Sequence, residues 1–426
     1  MPADARGEHL PAPDAMSSKW HLRPHVVHLD HGSSGACPSD VLEQQNALRH
    51  ELDCGSPQYY MTRYASGLAS AKRALAGFVG ADPQGLILTP GTTLGLNIVA
   101  QSQHFNAGDE LLTTNHAYSS VGMILHHLAQ RDGAVVVVAQ VPFPVASADE
   151  ILQSILACVT RRTRFAIVDH ITSRSGLIFP IKRIVAALAE HGVDTLVDGA
   201  HGPGQVSVDL TDLGAAYYTA SCHKWMCAPR GLGFLHVRPD RINRLKPLIL
   251  ARSCYFRDTT DDQHSWLEHT FDWMGTADPT AVHILPRLIE FLQTAATGEG
   301  GGHRAMVQRN HQLAVEARSQ VLRILGLHAP CPDALIGNMV SIPLPDSILP
   351  YARGTLPLQT WLWEKYHVEI QVYSWPTYPK RILRFTIQLY NSLSQCLWLA
   401  EKVKEGLEAE AIQLESIEVS LLVTGV

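Results

Sequence analysis

Short apolar runs alternate with segments of helical periodicity between residues 86 and 237 of this chain. Apolar runs of this kind predict strands, whereas apolar residues that recur every third or fourth position predict amphipathic helices. The helical spacing is clearest from Ile181 to Ala189, after Pro180. Strands are predicted at 86–89, 110–114, 134–141, 165–169, 193–197, 215–221 and 232–237, and helices at 93–101, 119–130, 149–160 and 181–189.

The repeated strand–helix–strand units predict an α/β fold, with a mostly parallel sheet that carries helices on both faces. Five of the eight residues at 134–141 are valine, which indicates a strand buried on both faces. The order changes after about residue 285. There the pattern predicts helices at 304–325, 358–366 and 393–407 and strands at 339–343, 368–373 and 382–389.

These patterns divide the chain into three regions. We predict a disordered tail at 1–25, a large domain at 26–285 and a small α+β C-terminal domain at 286–426. The tail mixes charge, proline and alanine and has no apolar stretch of the kind that a secretion signal needs. Residues 419–426 are apolar without a clear period and receive no assignment.

Composition narrows the class of protein. Hydrophobic residues make up 46% of the 426 residues and charged residues 17%, so a large buried core is expected and global disorder is excluded. The net charge of −6 argues against a nucleic-acid surface, and no apolar run is long enough to span a bilayer. The eight cysteines form no C-x-x-C pair, which argues against a metal site or disulfides and favours a cytoplasmic protein.

Polar segments follow five of the predicted strands. In an open parallel sheet, ligands bind beyond the carboxyl ends of the strands, so segments at those ends are expected to share one site. One such segment is weak support for a site, but five together predict it. The segments are 91–93, 115–118, 170–175, 198–201 and 221–224.

Three of these segments carry distinct chemistry. Gly91-Thr92-Thr93 opens a helix with free backbone N–H groups, which suits a phosphate. Asp198 can hold a proton on a pyridine nitrogen, and Lys224 can act as a nucleophilic amine. Each alone has an ordinary explanation: a helix cap, an Asp-Gly turn and a solvated lysine. No G-x-G-x-x-G or Walker pattern occurs, so a dinucleotide or P-loop site is excluded.

Four longer segments together resemble the class V aminotransferase family of fold-type-I pyridoxal phosphate enzymes. They are VVHLDHGSSGACP, VDGAHGPG, SCHKWMCAPRGLGFL and LRFTIQLYN, and the resemblance runs from about residue 26 to about residue 407. Within the family the chain most resembles the epimerase branch. The resemblance implies pyridoxal 5'-phosphate as cofactor, a small amino-acid substrate and a homodimer.

The resemblance also implies roles for single residues. Lys224 matches the lysine that binds the cofactor, Asp198 the partner of the pyridine nitrogen, and His201 the neighbour of the ring or its phenolic oxygen. Tyr118 matches the aromatic residue stacked on the ring, and Ser173 a polar residue near the cofactor oxygen. The matching phosphate ligands are Thr92, Thr93, Ser221 and His223.

Other implied roles concern the substrate and the second subunit. Arg384 matches the arginine that binds the substrate carboxylate, although Thr386 stands where relatives usually have serine. Gly275-Thr276 matches a segment that reaches the phosphate of the neighbouring subunit. The substrate pocket is expected to include Tyr59, Tyr60, Arg63, Tyr255 and Trp375.

The same residues serve several reactions at the α-carbon of an amino acid. Epimerisation or racemisation, elimination by a C–S lyase and transamination all remain open. Residues 372–376 lack the cysteine that desulfurases of this family need there, which argues against that activity. A non-catalytic sensor is the alternative from another class, but the segment before Val26 is too short for a DNA-binding domain.

Overall fold

The computed structural model describes residues 10–251, 263–295, 301–350 and 355–424. Strands are found where short apolar runs occur, including those predicted in both halves of the chain. They are β1 (Val27–His28), β2 (Leu86–Thr89), β3 (Glu110–Thr114), β4 (Val135–Ala139), β5 (Thr163–Asp169), β6 (Asp194–Asp198), β7 (Tyr217–Ser221), β8 (Gly233–Val237), β9 (Met339–Leu344), β10 (Val368–Glu369), β11 (Gln371–Ser374) and β12 (Arg381–Thr386).

A seven-stranded sheet forms the centre of the molecule, in the order β2-β8-β7-β6-β5-β3-β4. Strand β8 is antiparallel to both of its neighbours, and the other six strands run in one direction. Alternate residues of β5 enter two separate apolar cores, with Ala166 and Val168 on one face and Phe165 and Ile167 on the other. The predicted α/β class with a mostly parallel sheet is therefore confirmed.

The valine-rich strand β4 differs from its prediction. It lies at the edge of the sheet and pairs with β3 alone. Val135 is 50% exposed and Val138 is 42% exposed in the single chain, so the strand is not buried on both faces. An apolar run indicates a strand but does not say whether another strand or a helix covers it.

Helices cover the sheet and build the rest of the fold. Three of the four helices between β1 and β2, at Ser39–Cys54, Ser56–Thr62 and Tyr64–Val79, pack with the helices at Thr280–His283 and Leu285–Thr294 beside the large sheet. The helices are α1 (His31–Ser34), α2 (Ser39–Cys54), α3 (Ser56–Thr62), α4 (Tyr64–Val79), α5 (Thr92–Ser102), α6 (Ser119–Asp132), α7 (Ala148–Leu156), α8 (Ile181–Glu190), α9 (Leu210–Leu213), α10 (Gln263–Phe271), α11 (Thr280–His283), α12 (Leu285–Thr294), α13 (Gly302–Leu325), α14 (Pro357–Tyr366) and α15 (Leu393–Thr424).

The C-terminal region contains an antiparallel sheet in the order β11-β12-β9, against which α13 packs, with α14 and α15 alongside. The predicted strand at 368–373 is two strands, because β10 pairs with β1 whereas β11 pairs with β12. Residues 419–424, which had no assignment, belong to α15. None of the helices in the described ranges has the length and apolar character needed to cross a bilayer.

The N-terminal segment packs against the C-terminal region. Leu10 and Trp20 are buried, and Trp20 makes edge-to-face contacts with Phe291 and Tyr390. Asp14 pairs with Arg309 at 2.9 Å. The predicted disorder is therefore wrong for residues 10–25, while residues 1–9 lie outside the described chain. Strand β1 also pairs into this region, and the domain boundaries at 26 and 285 stay predictions.

Candidate active site

A cavity of about 670 Å³ opens at the carboxyl ends of the parallel strands. Each of the five predicted segments contributes at least one lining residue, and Tyr118 is the one from 115–118. Ser33 of α1 and Leu248, after β8, also line the cavity. Nine of the predicted site residues line it, namely Thr92, Thr93, Tyr118, Ser173, Asp198, His201, Ser221, His223 and Lys224. Sequence reasoning thus brought together most of one site, because parallel strands end at the same edge.

One end of the cavity is a cradle at the start of α5. Gly91 is the cap of this eleven-residue helix, and the Thr92 N–H donates to Ser221 Oγ at 3.2 Å. The hydroxyls of Thr92 and Ser221 are 2.7 Å apart. A Cβ on Gly91 would lie 3.5 Å from the His223 ring and 3.6 Å from Ser221 Oγ, so Gly91 faces both side chains. Helix N–H groups, hydroxyls and an imidazole together suit a phosphate.

Two carboxyl groups lie side by side on the floor of the cavity. Asp169 ends β5 and is paired in register with Asp198, which ends β6. The Ala200 N–H donates to Asp198 Oδ1 at 3.0 Å, whereas Asp169 Oδ2 is buried without a partner. Burial raises the pKa of Asp198, and burial together with the charge of Asp198 raises that of Asp169 further. A positive ring nitrogen beside Asp198 would favour its ionised form.

Lys224 reaches the same cavity from the loop after β7. The Cys222 N–H donates to Leu232 O and the Ala228 N–H donates to Cys222 O, both at 3.0 Å, which fixes the loop around the lysine. Burial lowers the pKa of Lys224 to about 8, against the opposing charge of Asp198. The amine is therefore far more often neutral than that of an exposed lysine, as a nucleophile must be.

His201 lies between Lys224 and Trp225. Its Nε2 is 3.2 Å from Lys224 Nζ, and the Trp225 indole N–H donates to its Nδ1 at 3.1 Å. Burial, followed by the charge of Lys224, lowers the pKa of His201 well below its usual value. His201 is therefore a neutral group next to the reactive amine.

Sequence reasoning missed several residues of the site. Asp169 ends a strand directly before a segment that was singled out, so its position was a usable signal. Trp225 was expected beside Lys224, because the two adjoin in sequence, but its contact with His201 was not predicted. Ser33 lines the cavity from α1, and nothing local in the sequence links it to strands more than fifty residues later.

Arg384 does not line the cavity. Its Nη2 donates to Asp30 Oδ1 at 2.9 Å and to Ser33 Oγ at 2.7 Å, and its Nη1 donates to the Ser173 carbonyl at 2.6 Å. The side chain is 1% exposed, and its Nε is buried without a partner. Arg384 thus lies behind two cavity residues, Ser33 and Ser173, and its role at the substrate carboxylate stays a prediction.

The other predicted pocket residues that the structure describes do not line the cavity. The Tyr59 hydroxyl is 2.7 Å from His283 Nδ1, the Tyr60 hydroxyl donates to Ala277 O at 2.6 Å, and Arg63 pairs with Glu51. Trp375 packs on His116 and Phe143, away from the cavity. Thr276 is exposed, and Tyr255 lies outside the described residues.

The cavity fits pyridoxal phosphate. The cradle at Gly91 offers room and donors for a phosphate, and Asp198 offers a carboxylate for the pyridine nitrogen. Lys224 offers an amine of lowered pKa for the aldehyde. These three groups line one cavity, which Tyr118 also lines.

Comparisons with known proteins agree with this fit. The chain is 31% identical over 369 residues to putative L-cysteine desulfhydrase 1 of Oryza sativa subsp. japonica, which covers 83% of this chain and 74% of that protein. It is 30% identical over 396 residues to isopenicillin N epimerase of Amycolatopsis lactamdurans, which covers 90% and 96%.

Solved structures show the same fold. A C-DES mutant with glycine covalently linked to its PLP cofactor superposes with a TM-score of 0.77 at 20% identity, covering 91% of this chain and 98% of that one. The profile of the aminotransferase class-V family matches residues 27–346. The chain therefore belongs to the aminotransferase class-V family, and it is a fold-type-I enzyme that depends on pyridoxal 5'-phosphate.

Proposed function

We propose that this enzyme removes the α-proton of an amino-acid substrate, with Lys224 as the group that moves the proton. The observation that carries the proposal is the Lys224 amine, whose pKa burial lowers to about 8, in a cavity that also holds Asp198. A base works best when its pKa lies near the working pH. His201 is neutral beside it and Asp169 and Asp198 lie at the floor, so the lysine is the best placed base among the described lining residues.

The bound cofactor supplies an electron sink that makes the α-hydrogen acidic. The side chains of this chain supply the rest. Asp198 holds the proton of the ring nitrogen, the cradle at Gly91 fixes the phosphate, and Tyr118 covers the ring face. These contacts keep the cofactor in one orientation, so that Lys224 meets the same bond of each substrate molecule.

Epimerisation is the first outcome that we propose. The isopenicillin N epimerase of Amycolatopsis lactamdurans aligns over 96% of its length, so this chain spans almost the whole of that relative. In this outcome Lys224 takes the proton from one face of the α-carbon, and a second group or water returns a proton to the other face. Tyr118, which is 48% exposed at the cavity, is the first side chain to test as that second group.

Elimination of a sulfur group is the second outcome, and the site also favours it. Elimination needs one base on one face, because the amine that removes the α-proton can protonate the leaving group. Lys224 alone meets this need. Rice putative L-cysteine desulfhydrase 1 and an Arabidopsis thaliana L-cysteine desulfhydrase, at 31% and 26% identity, support this outcome as strongly as the epimerase supports the first. Transamination would start with the same proton removal.

Two assays on one preparation separate the outcomes. In the first assay the substrate is L-cysteine, and elimination followed by hydrolysis gives pyruvate, sulfide and ammonia. In the second assay the substrate is isopenicillin N in deuterium oxide. A lyase releases pyruvate and sulfide in equal amounts. An epimerase inverts the α-carbon and incorporates one deuterium there, as chiral chromatography and mass spectrometry detect. If deuterium is exchanged but neither product forms, α-proton removal is retained and both outcomes are rejected for these substrates. If no amino acid shows exchange, the proposal is rejected.

The cysteines support neither desulfurase chemistry nor disulfides. The seven described cysteines are free, and none of them lines the cavity. Burial raises the pKa of Cys222 to about 12, so its thiol is unreactive. Free thiols are in keeping with a reducing compartment, and we propose a cytoplasmic location on that basis.

We also propose a homodimer in which each chain completes the site of the other. Tyr60 bonds to the backbone at Ala277, so α3 and the segment around Thr276 form one surface, which does not line the cavity of its own chain. Tyr60 and Arg63, predicted for the substrate, and Thr276, predicted for the partner's phosphate, lie on this surface. A two-fold axis would bring it to the partner's cavity.

Complementation between inactive variants tests the dimer. Thr276→Ala is expected to weaken cofactor binding, and Lys224→Ala to remove the amine. When the two variants are unfolded together and refolded as a mixture, a heterodimer has one site with both groups intact. We expect about a quarter of wild-type activity to return from an equal mixture, since half of the dimers are mixed. A fully active monomer in light scattering, or no recovery from a heterodimer shown to form, would reject the proposal.

A further inference from the structure

The indole of Trp225 is packed against the imidazole that faces Lys224. Trp225 is fully buried, and His201 is 2% exposed. A Cβ on Gly32 would meet the Trp225 ring at 3.1 Å, and the His31 ring lies 5.4 Å from it, centroid to centroid. Ile171 and Met339 pack with Trp225 in one buried cluster, so the indole N–H has a fixed direction.

This contact decides which nitrogen of His201 carries the proton. An indole N–H only donates, so His201 Nδ1 accepts at 3.1 Å and has no hydrogen. A neutral imidazole has one N–H, which must then be on Nε2, 3.2 Å from Lys224 Nζ. If Nε2 also accepted, the ring would be an anion. The contact is therefore an N–H of His201 donated to the lone pair of the lysine amine.

We propose that Trp225 is a positioning residue that fixes the tautomer of His201, so that its Nε2–H faces Lys224 and the cofactor. A donor at this place favours the neutral amine, because an ammonium group would set N–H against N–H. It also means that His201 does not take a proton from the substrate, which leaves that task to Lys224. The inference deepens the proposed function, on which its catalytic meaning rests, whereas the tautomer is measured without turnover.

The protonation of Lys224 in the cofactor-free protein is the first readout. Trace acetylation at a series of pH values, with mass spectrometry of the Lys224 peptide, gives the midpoint at which the amine becomes reactive. Trp225→Phe keeps a ring and removes the donor, so His201 can turn Nε2 into an acceptor for the ammonium group. We expect the midpoint to rise by about one pH unit, the size of one such contact. The charged and titratable groups that face Nζ, unchanged in this variant, are Asp198, Asp169, Asp30 and Arg384.

A double variant and a matched control separate this effect from a general disturbance. In a His201→Phe background, Trp225→Phe is expected to add no further shift, because there is no imidazole to turn. Trp20→Phe is the control, since Trp20 is also buried and its N–H bonds to Ala36 O rather than to His201. It should leave the midpoint unchanged.

The tautomer of His201 can also be measured directly in the wild-type protein. In a spectrum of ¹⁵N-histidine protein, the His201 signals are those absent from His201→Phe. We expect the shifts of an Nε2-protonated ring, and the signature of an Nδ1-protonated or doubly protonated ring would overturn the proposal. An unchanged labelling midpoint in folded Trp225→Phe, or an equal shift in the His201→Phe background, would overturn it too. Failure of turnover with the expected tautomer would instead refute the proposed function.

Discussion

Lys224→Ala is expected to lower turnover by about 10⁴-fold or more, because one amine both binds the cofactor and moves the substrate proton. Sodium borohydride should fix the cofactor on Lys224 in the wild-type protein, with the added mass on the peptide that contains it. Lys182→Ala is the control, since Lys182 is an exposed lysine that pairs with Asp212. Near-normal turnover of Lys224→Ala, or a cofactor fixed on another lysine, would contradict the assignment.

The lowered pKa gives the same prediction a pH dependence. Since the pKa of Lys224 is about 8, roughly a tenth of the amine is neutral at pH 7 and roughly nine tenths at pH 9. Cofactor uptake by the cofactor-free protein requires the neutral amine, so its rate should rise about tenfold between these pH values and then level off. An exposed lysine would show a rise that continues beyond pH 10. Stopped-flow absorbance measures the uptake directly.

The strand predictions succeeded where the signal was local. Each strand of the large sheet gave an apolar run, and the chemistry followed from what stands at the end of each run. Asp198 and Lys224 are 26 positions apart in sequence, yet both line the cavity because β6 and β7 run in parallel. The alternation of strands and helices was sufficient to predict that meeting.

Other features depended on partners that no local pattern names. A run of valines looks the same in sequence whether the strand is central or at the edge of a sheet, so the predicted burial of both faces of β4 was wrong. Trp20 looks like part of a polar tail, but Phe291 and Tyr390 cover it in the fold. All six residues of β12 are buried, Arg381 and Arg384 included, so the polar residues of this strand do not mark an exposed face.

Arg384→Lys is expected to lower turnover by about 10²-fold while cofactor binding survives. The substitution keeps the charge and loses the planar fork that can hold a carboxylate with two hydrogen bonds. The structure adds a competitor, because Asp30, 354 positions away in sequence, already accepts from Arg384 Nη2. A substrate carboxylate must therefore displace Asp30 or bind at the Nε side, which has no partner.

Asp30→Asn tests that competition. It removes a negative charge beside the guanidinium and keeps a group of the same shape. If Arg384 binds the substrate carboxylate, KM should fall in Asp30→Asn and rise in Arg384→Lys. If Arg384 only holds Ser33 and Ser173 in place, both variants should instead weaken cofactor binding, because both serines line the cavity.

Arg381→Lys is the matched control on the same strand. Arg381 is also buried, and its two terminal nitrogens donate to Glu410 at 3.0 and 2.6 Å. Its replacement loses the same kind of fork and should lower the free energy of unfolding, without a change in KM. A loss of turnover in Arg381→Lys as large as in Arg384→Lys would show that both act through the fold alone. The substrate carboxylate would then have to bind elsewhere, and the surface around Tyr59 and Thr276 of a partner subunit would be the next place to test.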